Sequence, residues 1–324
     1  MKLSRRSFLE VAGAAGAAAL AAPALARGAE GHAAGARGDV PGADESSVLV
    51  DTTRCVGCRA CEAACAEKNQ LPAPASGGQV LDRHRETSTT ALTVVNRFDV
   101  DETAKELQQR PEGDDTHRAQ RFAKTQCMHC VAPGCASACP NRALDKKPNG
   151  PVTYDASRCM GCRYCMVSCP FGVPRYEYEA LAPRVVKCSF CADRQAQGLQ
   201  PACVSVCPSG ALTFGRRADM LAEARRRVYG NPDKYVQHIY GEHEAGGTNW
   251  LYVADVPFEK LAMKADVLDT PYPDLVKGAL GVPPFVMTLW PPLLMGFYAF
   301  SRSRSKVEEE HQAGNGHTDE GRHD

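Results

Sequence analysis

The sequence lacks the features by which several common classes of protein are recognised. Its 38 basic and 38 acidic residues cancel, so no excess of charge is available to attract nucleic acid. Aromatic residues make up only 7% of the chain and show no pattern suited to stacking on bases. There is no glycine-rich phosphate loop and no nucleophile with a base beside it. These absences argue against nucleic-acid binding and against substrate chemistry by the chain itself.

Cysteine, in contrast, is abundant and is used completely. The sixteen cysteines fall into four quartets with none left over, and the first and third quartets share the spacing C-x2-C-x2-C-x3-C. The second quartet widens the middle gap to four residues, and the fourth widens it to eleven. In chain order the quartets are Cys55, Cys58, Cys61 and Cys65; Cys127, Cys130, Cys135 and Cys139; Cys159, Cys162, Cys165 and Cys169; and Cys188, Cys191, Cys203 and Cys207.

Three kinds of site compete for such quartets. A disulfide framework does not consist of self-contained quartets, and thiols two residues apart rarely bridge one another. Structural zinc pairs one C-x2-C with another and has no use for a cysteine three residues further on. Iron–sulfur clusters use C-x2-C-x2-C around one cubane and a fourth cysteine, often before proline, at a neighbouring cluster. Prolines follow three of the four final cysteines, at Pro140, Pro170 and Pro208. The sixteen thiolates therefore predict four [4Fe–4S] clusters.

Internal repeats outside the cysteines support this interpretation. The stretch "DTTRCVGCRACEAAC" from Asp51 matches "DASRCMGCRYCMVSC" from Asp155, and "CASACPNRAL" matches "CVSVCPSGAL". The repeated Gly57 and Gly161 suit a loop that closes on a cluster, because such a loop needs backbone freedom. The chain is thus predicted to be built from repeated ferredoxin-like units.

Four quartets in this order, the last within "CSFCADRQAQGLQPACVSVCP", resemble the four-cluster iron–sulfur subunits of membrane-associated oxidoreductases. Such subunits serve molybdopterin enzymes, such as formate dehydrogenase and polysulfide reductase, and certain [NiFe] hydrogenases. The resemblance covers residues 48–215. It implies an α+β fold class: two nested ferredoxin-like, double [4Fe–4S] units with loop-rich insertions, followed by a C-terminal single transmembrane helix.

The resemblance also implies how the ligands pair, since the family exchanges them between the first and fourth quartets and between the second and third. The spacing alone would equally permit pairing between neighbouring quartets. The implied ligand sets are Cys55, Cys58, Cys61 and Cys207; Cys188, Cys191, Cys203 and Cys65; Cys127, Cys130, Cys135 and Cys169; and Cys159, Cys162, Cys165 and Cys139.

The N-terminus predicts where the protein works. Residues 4–9 read "SRRSFL", a twin-arginine signature, and a mildly apolar stretch then leads to an A-x-A cleavage site at residues 24–26. We expect residues 1–26 to be a twin-arginine signal peptide and residues 27–47 to be a flexible linker. Clusters are built in the reducing cytosol, and the twin-arginine system exports proteins already folded around them.

Residues 48–273 are expected to form the electron-transfer body. A helix is predicted over residues 217–230, with one apolar face and an end before Asn231-Pro232. The long segment 66–126 is either a surface loop with a short strand or a contact with a partner subunit. His129 is either a plain loop residue or one that touches a cluster edge or accepts a hydrogen bond from the backbone. Strands are predicted at Leu92–Phe98, Val152–Asp155, Ala211–Gly215 and Asn249–Val256.

The C-terminal region contains the uncharged stretch 282–300, which is near the length needed to cross a bilayer. Pro291 and Pro292 lie inside it and would kink a helix. Arg302, Arg304 and Lys306 follow directly, so this flank would stay in the cytoplasm. We expect a transmembrane anchor at residues 278–300, a body on the periplasmic face, and a disordered cytoplasmic tail at residues 301–324. A buried core helix and a hydrophobic docking segment are the alternatives.

These features predict an electron carrier without catalytic residues of its own. The signal peptide and anchor favour a HybA-type subunit, working between the catalytic subunits of a [NiFe] hydrogenase and an integral membrane subunit that reacts with quinone. The alternative is the β-subunit of a molybdopterin oxidoreductase such as formate dehydrogenase, and a third possibility is a scaffold whose clusters are purely structural.

Overall fold

The computed structural model describes residues 40–100 and 119–315. The predicted signal peptide at residues 1–26 and linker residues 27–39 lie outside that part, as do residues 316–324. The linker was expected to extend to Ser47, but Ser46 and Ser47 open the first strand. Ser47 is fully buried and its hydroxyl donates to the Asn249 carbonyl at 2.9 Å. A hydroxyl can be buried once it is hydrogen-bonded, so Ser47 is compatible with the core. The folded body therefore begins before Val48.

The described residues form nine strands and seven α-helices, joined by short 3-10 turns. The strands are β1 (Ser46–Asp51), β2 (Val94–Val100), β3 (Ala119–Thr125), β4 (Leu144–Lys146), β5 (Val152–Tyr154), β6 (Arg175–Tyr176), β7 (Val185–Val186), β8 (Leu212–Arg216) and β9 (Trp250–Val253). The helices are α1 (Ala60–Lys68), α2 (Gly134–Ser137), α3 (Tyr164–Val167), α4 (Ala192–Gln195), α5 (Ala202–Ser205), α6 (Arg217–Gly230) and α7 (Tyr272–Asn315). The four predicted strands are confirmed as β2, β5, β8 and β9, with ends shifted by one to three residues.

A three-stranded sheet holds the core together. Strand β1 lies in its centre, antiparallel to β8 and parallel to β9. Helix α6, which has the predicted bounds, covers the sheet with Leu221, Ala224 and Val228, all at most 1% exposed. Their spacing of three and four residues places them on one face of the helix. The sheet thus joins the chain just before the first quartet to the chain just after the fourth.

The segment between the first two quartets contains, in its described residues, both a partly exposed loop at 71–90 and two buried strands. Its described residues include β2 and β3, which pair in antiparallel register. Val94, Val95 and Ala123 on this hairpin are about as buried as any residue in the protein, at 1% exposed. Hairpin β2–β3 therefore contributes to the core beside the cysteine loops.

The C-terminal helix α7 extends well beyond the predicted anchor. It is the one helix among the described residues that is long and apolar enough to cross a membrane: within Tyr272–Glu309, an 18-residue window has a mean hydropathy of 1.3, and no part of that window is buried. The helix continues through its four prolines. The tail was predicted to be disordered from residue 301, and this is wrong as far as Asn315, because the helix continues there with an Arg304–Glu308 pair at 3.6 Å.

Candidate metal centres

The first and third quartets sit in loops that are built in the same way. Asp51 and Asp155 each cap a 3-10 turn by accepting a backbone N–H two residues later, at 3.1 Å from Thr53 and 3.0 Å from Ser157. Each turn ends on the first cysteine of its quartet. The aspartate that precedes both quartets in the sequence repeat is therefore explained by local hydrogen bonding.

Both loops then pass through two left-handed residues before a helix begins. Gly57 and Gly161 have φ angles of 69° and 75°, and Arg59 and Arg163 have φ angles of 61° and 60°. A Cβ atom on Gly57 would lie 2.5 Å from the Phe122 ring, so the glycine is required by a close approach as well as by its conformation. These turns curl the backbone so that the cysteines of one loop face a common space.

The second and fourth quartets share a different repeated unit. Pro133 and Pro201 stand directly before the short helices α2 and α5, each of which carries the third cysteine of its quartet. After each final cysteine the chain turns through a left-handed residue, Arg142 in one copy and Gly210 in the other. In the first copy this turn directs the Ala143 N–H onto the Cys139 Sγ at 3.2 Å.

The structure brings the cysteines of the outer quartets together in two cavities. Both cavities mix the first quartet with the fourth. One, called site I, is lined by Cys55, Cys58, Cys61 and Cys207. The other, called site II, is lined by Cys65, Cys188, Cys191 and Cys203.

The inner quartets also mix. Cys130 interacts electrostatically with the two other early cysteines of its own quartet and with the last cysteine of the third quartet. Cys165 interacts in the same way with the two early cysteines of its quartet and with the last cysteine of the second. We call these groups site III (Cys127, Cys130, Cys135 and Cys169) and site IV (Cys139, Cys159, Cys162 and Cys165).

The four sites follow one another in a line. Cys61 of site I interacts electrostatically with Cys203 of site II, and Cys188 of site II with Cys127 of site III. Cys135 of site III in turn interacts with Cys165 of site IV. The only two exposed cysteines are Cys58 and Cys162, one in each terminal site, whereas those of sites II and III are buried or half-buried. The line therefore meets solvent at its two ends.

The chemistry of the donors fits iron–sulfur clusters. Burial raises the pKa of the Cys61 and Cys135 thiols to about 12, and that of Cys65 and Cys165 to about 11. A bare thiolate is costly in such surroundings, whereas coordination to a metal deprotonates the thiol outright. None of the sixteen cysteines forms a disulfide. Backbone amides also donate to the sulfurs. Burial has the largest effect on the pKa of Cys55 and raises it, and the hydrogen bond from the Gly57 N–H partly offsets that rise.

A single-ion site does not fit the same donors. Within residues 40–100 and 119–315, no three His, Cys, Asp or Glu side chains converge closely enough to bind one metal ion. Tetrahedral zinc would require its four ligands within ~2.3 Å of one point. Thiolates that each meet a different iron can stand further apart, as these do.

His129 proves to be a structural residue. It is fully buried, its Nδ1 accepts the Val152 N–H at 2.9 Å, and its ring stacks on Phe190 at 4.8 Å. Burial holds its pKa well below the usual value, so the ring is neutral. Another buried residue near the cysteines, Lys124, was not anticipated, because lysine is almost never fully buried.

Comparison with known proteins agrees with this chemistry. Residues 119–217 match the 4Fe–4S dicluster domain. Over 295 residues the chain is 34% identical to the hydrogenase-2 operon protein HybA of Escherichia coli O157:H7, covering 83% of this chain and 86% of that protein. The chain belongs to the family of 4Fe–4S electron-transfer subunits.

Two other relatives align with different lengths of this chain. A protein of Nitratidesulfovibrio vulgaris is 45% identical over 317 residues, covering 96% of this chain and 80% of that protein. The iron–sulfur subunit of the nitrate-inducible formate dehydrogenase of Escherichia coli K12 is 36% identical over 220 residues, covering 66% of this chain and 70% of that subunit. The family therefore includes a protein of a hydrogenase operon and an iron–sulfur subunit of a formate dehydrogenase.

Proposed function

We propose that this chain carries electrons through four [4Fe–4S] clusters between a [NiFe] hydrogenase and an integral membrane subunit that reacts with quinone. The observation that supports four clusters is the sorting of all sixteen cysteines into sites I to IV. The hydrogenase assignment is supported by the longer match to HybA, which covers 83% of the chain against 66% for the formate dehydrogenase subunit.

The ligand sets follow from the same grouping. Sites I and II would form an outer ferredoxin-like unit from the first and fourth quartets, and sites III and IV an inner unit from the second and third. In each unit the two cluster loops would exchange their last cysteines. The two cavities that combine Cys207 with the first quartet and Cys65 with the fourth support this nested arrangement over pairing between neighbouring quartets.

When bound, the clusters would accept and release single electrons. The residues of the chain would hold the sites in line, exclude water and stabilise added negative charge. Backbone N–H groups already point at several sulfurs, including Phe190 N to Cys188 Sγ at 3.4 Å and Ala143 N to Cys139 Sγ at 3.2 Å. Such amides favour the reduced, more negative state of a cluster. Partners would dock at the exposed ends of the line, near Cys58 and Cys162.

The protein would work on the periplasmic face of the cytoplasmic membrane. The twin-arginine sequence at residues 4–9 supports export after folding, and the apolar helix α7 supports anchoring by a single span. Arg302, Arg304 and Lys306 would hold the end of that span in the cytoplasm. Both signals give the same orientation.

A second candidate is the electron-transfer subunit of a molybdopterin enzyme. The 36% identity to the formate dehydrogenase subunit favours it as much as the identity to HybA favours the first candidate. Metal analysis of the complex that co-purifies with a tagged full-length chain, solubilised without oxygen, separates the two. Nickel, together with cluster reduction by H2, supports the hydrogenase; molybdenum or tungsten without nickel overturns it. This chain itself should contribute about 16 irons in either case, four for each of four clusters, in addition to any iron of its partners.

The ligand sets are tested by comparing Cys→Ser variants in electron paramagnetic resonance spectra. The nested arrangement predicts that Cys207→Ser perturbs the same spectral component as Cys55→Ser, and that Cys65→Ser perturbs the same one as Cys188→Ser. If Cys207→Ser instead perturbs the component that Cys188→Ser perturbs, each quartet keeps its own fourth cysteine and the nested arrangement is wrong.

A further inference from the structure

Lys124, near the end of strand β3, is a buried cation beside the cysteines. Its side chain is 2% exposed, its Nζ donates to Gln126 Oε1 at 2.7 Å, and the same nitrogen lies 4.3 Å from the centroid of the Trp250 ring. Among residues 40–100 and 119–315, no carboxylate forms an ion pair with it. A buried charge without a counter-charge is costly, so a position like this calls for an explanation.

The position of Lys124 supplies one. Its side chain lines both site I and site II, between Cys61 and Cys65 on one side and Cys188 and Cys203 on the other. The two cavities hold eight cysteine sulfurs, and among the described residues Lys124 is the one lysine that lines both of them. The sulfurs of the two sites are thus the anions that this ammonium faces.

The ammonium is held in place by a closed set of hydrogen bonds. Gln126, which accepts from Nζ, donates through Nε2 to the Tyr252 hydroxyl at 2.6 Å. Tyr252 in turn donates to the carbonyl of Lys124 itself at 2.9 Å. Tyr252 and Gln126 are both about 1% exposed, so the hydrogen-bonded groups are buried. The charge is therefore fixed in position and poorly screened.

We propose that Lys124 is a shared electrostatic element that raises the reduction potentials of the clusters in sites I and II together, relative to those in sites III and IV. The inference rests on the proposed cluster ligation. Adding one electron to either cluster adds one negative charge, and the ammonium stabilises that charge without transferring a proton. The electron comes from a neighbouring cluster or a partner, and no other reactant is needed. Lys124 acts on the clusters through its charge and does not bind iron.

The test is a potentiometric titration, followed by electron paramagnetic resonance, of the full-length protein purified with its partners without oxygen. Lys124→Met removes the charge and keeps the length of the side chain. We expect two of the four cluster potentials to fall, with the reduction equilibrium weakened at least tenfold, or about 59 mV for a one-electron couple. The other two should stay unchanged. Lys124→Arg should keep all four near their original values, and Lys234→Met, at an exposed lysine, should move none.

Gln126→Glu provides a second variant in case Lys124→Met does not assemble its clusters. It places a carboxylate against Nζ, so the same two potentials should fall while the lysine and its packing remain. The proposal is overturned if neither variant moves a potential, or if all four potentials move equally. If the unaltered protein contains no clusters, the proposed function fails instead, and iron analysis before the titration distinguishes that case.

Discussion

Glu62 offers a direct test of what holds the first cysteine loop in place. It lies on α1 between Cys61 and Cys65 and is 4% exposed. Its carboxylate accepts five hydrogen bonds: two from Arg59 at 2.8 and 3.1 Å, two from Arg85 at 2.6 and 3.1 Å, and the Val95 N–H at 2.6 Å. Arg85 and Val95 belong to the segment that leads into hairpin β2–β3. The carboxylate thus ties α1, which carries ligands for two sites, to that hairpin.

Glu62→Gln replaces one acceptor oxygen with a donor that must face an N–H or a guanidinium. Removing one partner of a buried charged network costs about 3–5 kcal/mol, because the remaining charges stay buried without compensation. The lower end, about 3 kcal/mol, applies here, since the Arg59 and Arg85 side chains are 14% and 24% exposed and can recover some hydration. Glu62 is ionised at neutral pH. Burial alone would raise its pKa, but hydrogen bonds from the two arginines and from the Val95 amide lower the pKa below the usual value.

The assay is the rate at which the visible absorption of the clusters is lost in mild denaturant without oxygen. If the interaction is already broken in the transition state for opening, the barrier falls by the whole ~3 kcal/mol and bleaching accelerates about 150-fold. If half of the interaction persists in that transition state, bleaching accelerates about 12-fold. Glu67→Gln is the matched control, because Glu67 is exposed on the same helix. Acceleration below about threefold, or equal to that of the control, would show that the carboxylate does not hold the loop.

Three further predictions concern other parts of the body. His238 Nε2 donates to the Glu244 carboxylate at 2.8 Å, and this hydrogen bond raises the pKa of His238. The stability that it adds is complete below the unfolded pKa and is lost as pH rises through the folded one, so the melting temperature of His238→Gln should fall furthest below that of the original protein under about pH 6.5. A gap that widens with rising pH would contradict this. Gly57→Ala should lose iron from site I alone, since its Cβ meets the Phe122 ring at 2.5 Å; an unchanged iron content would refute the close approach. Arg217 is fully buried, and its guanidinium donates to four backbone carbonyls. Arg217→Met should therefore lower the free energy of unfolding by about 3 kcal/mol, or the melting temperature by roughly 6–12 °C, whereas Arg216→Met, at an exposed arginine, should change either quantity very little.

The parts of the structure that sequence reasoning anticipated are those fixed by local interactions. Helix α6 has the predicted bounds because an apolar face and a following proline define it within one segment. The repeated cysteine loops share their capping aspartates and left-handed residues, so matching sequences gave matching turns. The grouping of cysteines could not be derived in this way, because Cys207 reaches the first quartet through the pairing of β1 with β8. That contact spans most of the chain, and only resemblance to a family indicated it.

Strand β3 and its pairing with the predicted strand β2 were not anticipated, for a related reason. The two strands are separated by residues 101–118, and β3 (Ala119–Thr125) shows no alternation of apolar and polar residues that would indicate a half-buried strand. Burial of Lys124 depends on Trp250 and Gln126 standing on either side, and no local pattern reports that.

The repeated loops make the surroundings of the clusters similar, whereas hairpin β2–β3 makes them different. Loops that are built alike give their clusters similar immediate surroundings, so differences between cluster potentials must come from residues outside the repeats. At Gly57 of site I the neighbour is Phe122 on β3, two residues from Lys124, whereas at the equivalent Gly161 of site IV it is the hydroxyl of Tyr176 at 2.8 Å. A neutral phenol and a buried ammonium stabilise added charge to different degrees. The segment between the first two quartets is therefore sufficient to make two otherwise similar ends of the line unequal.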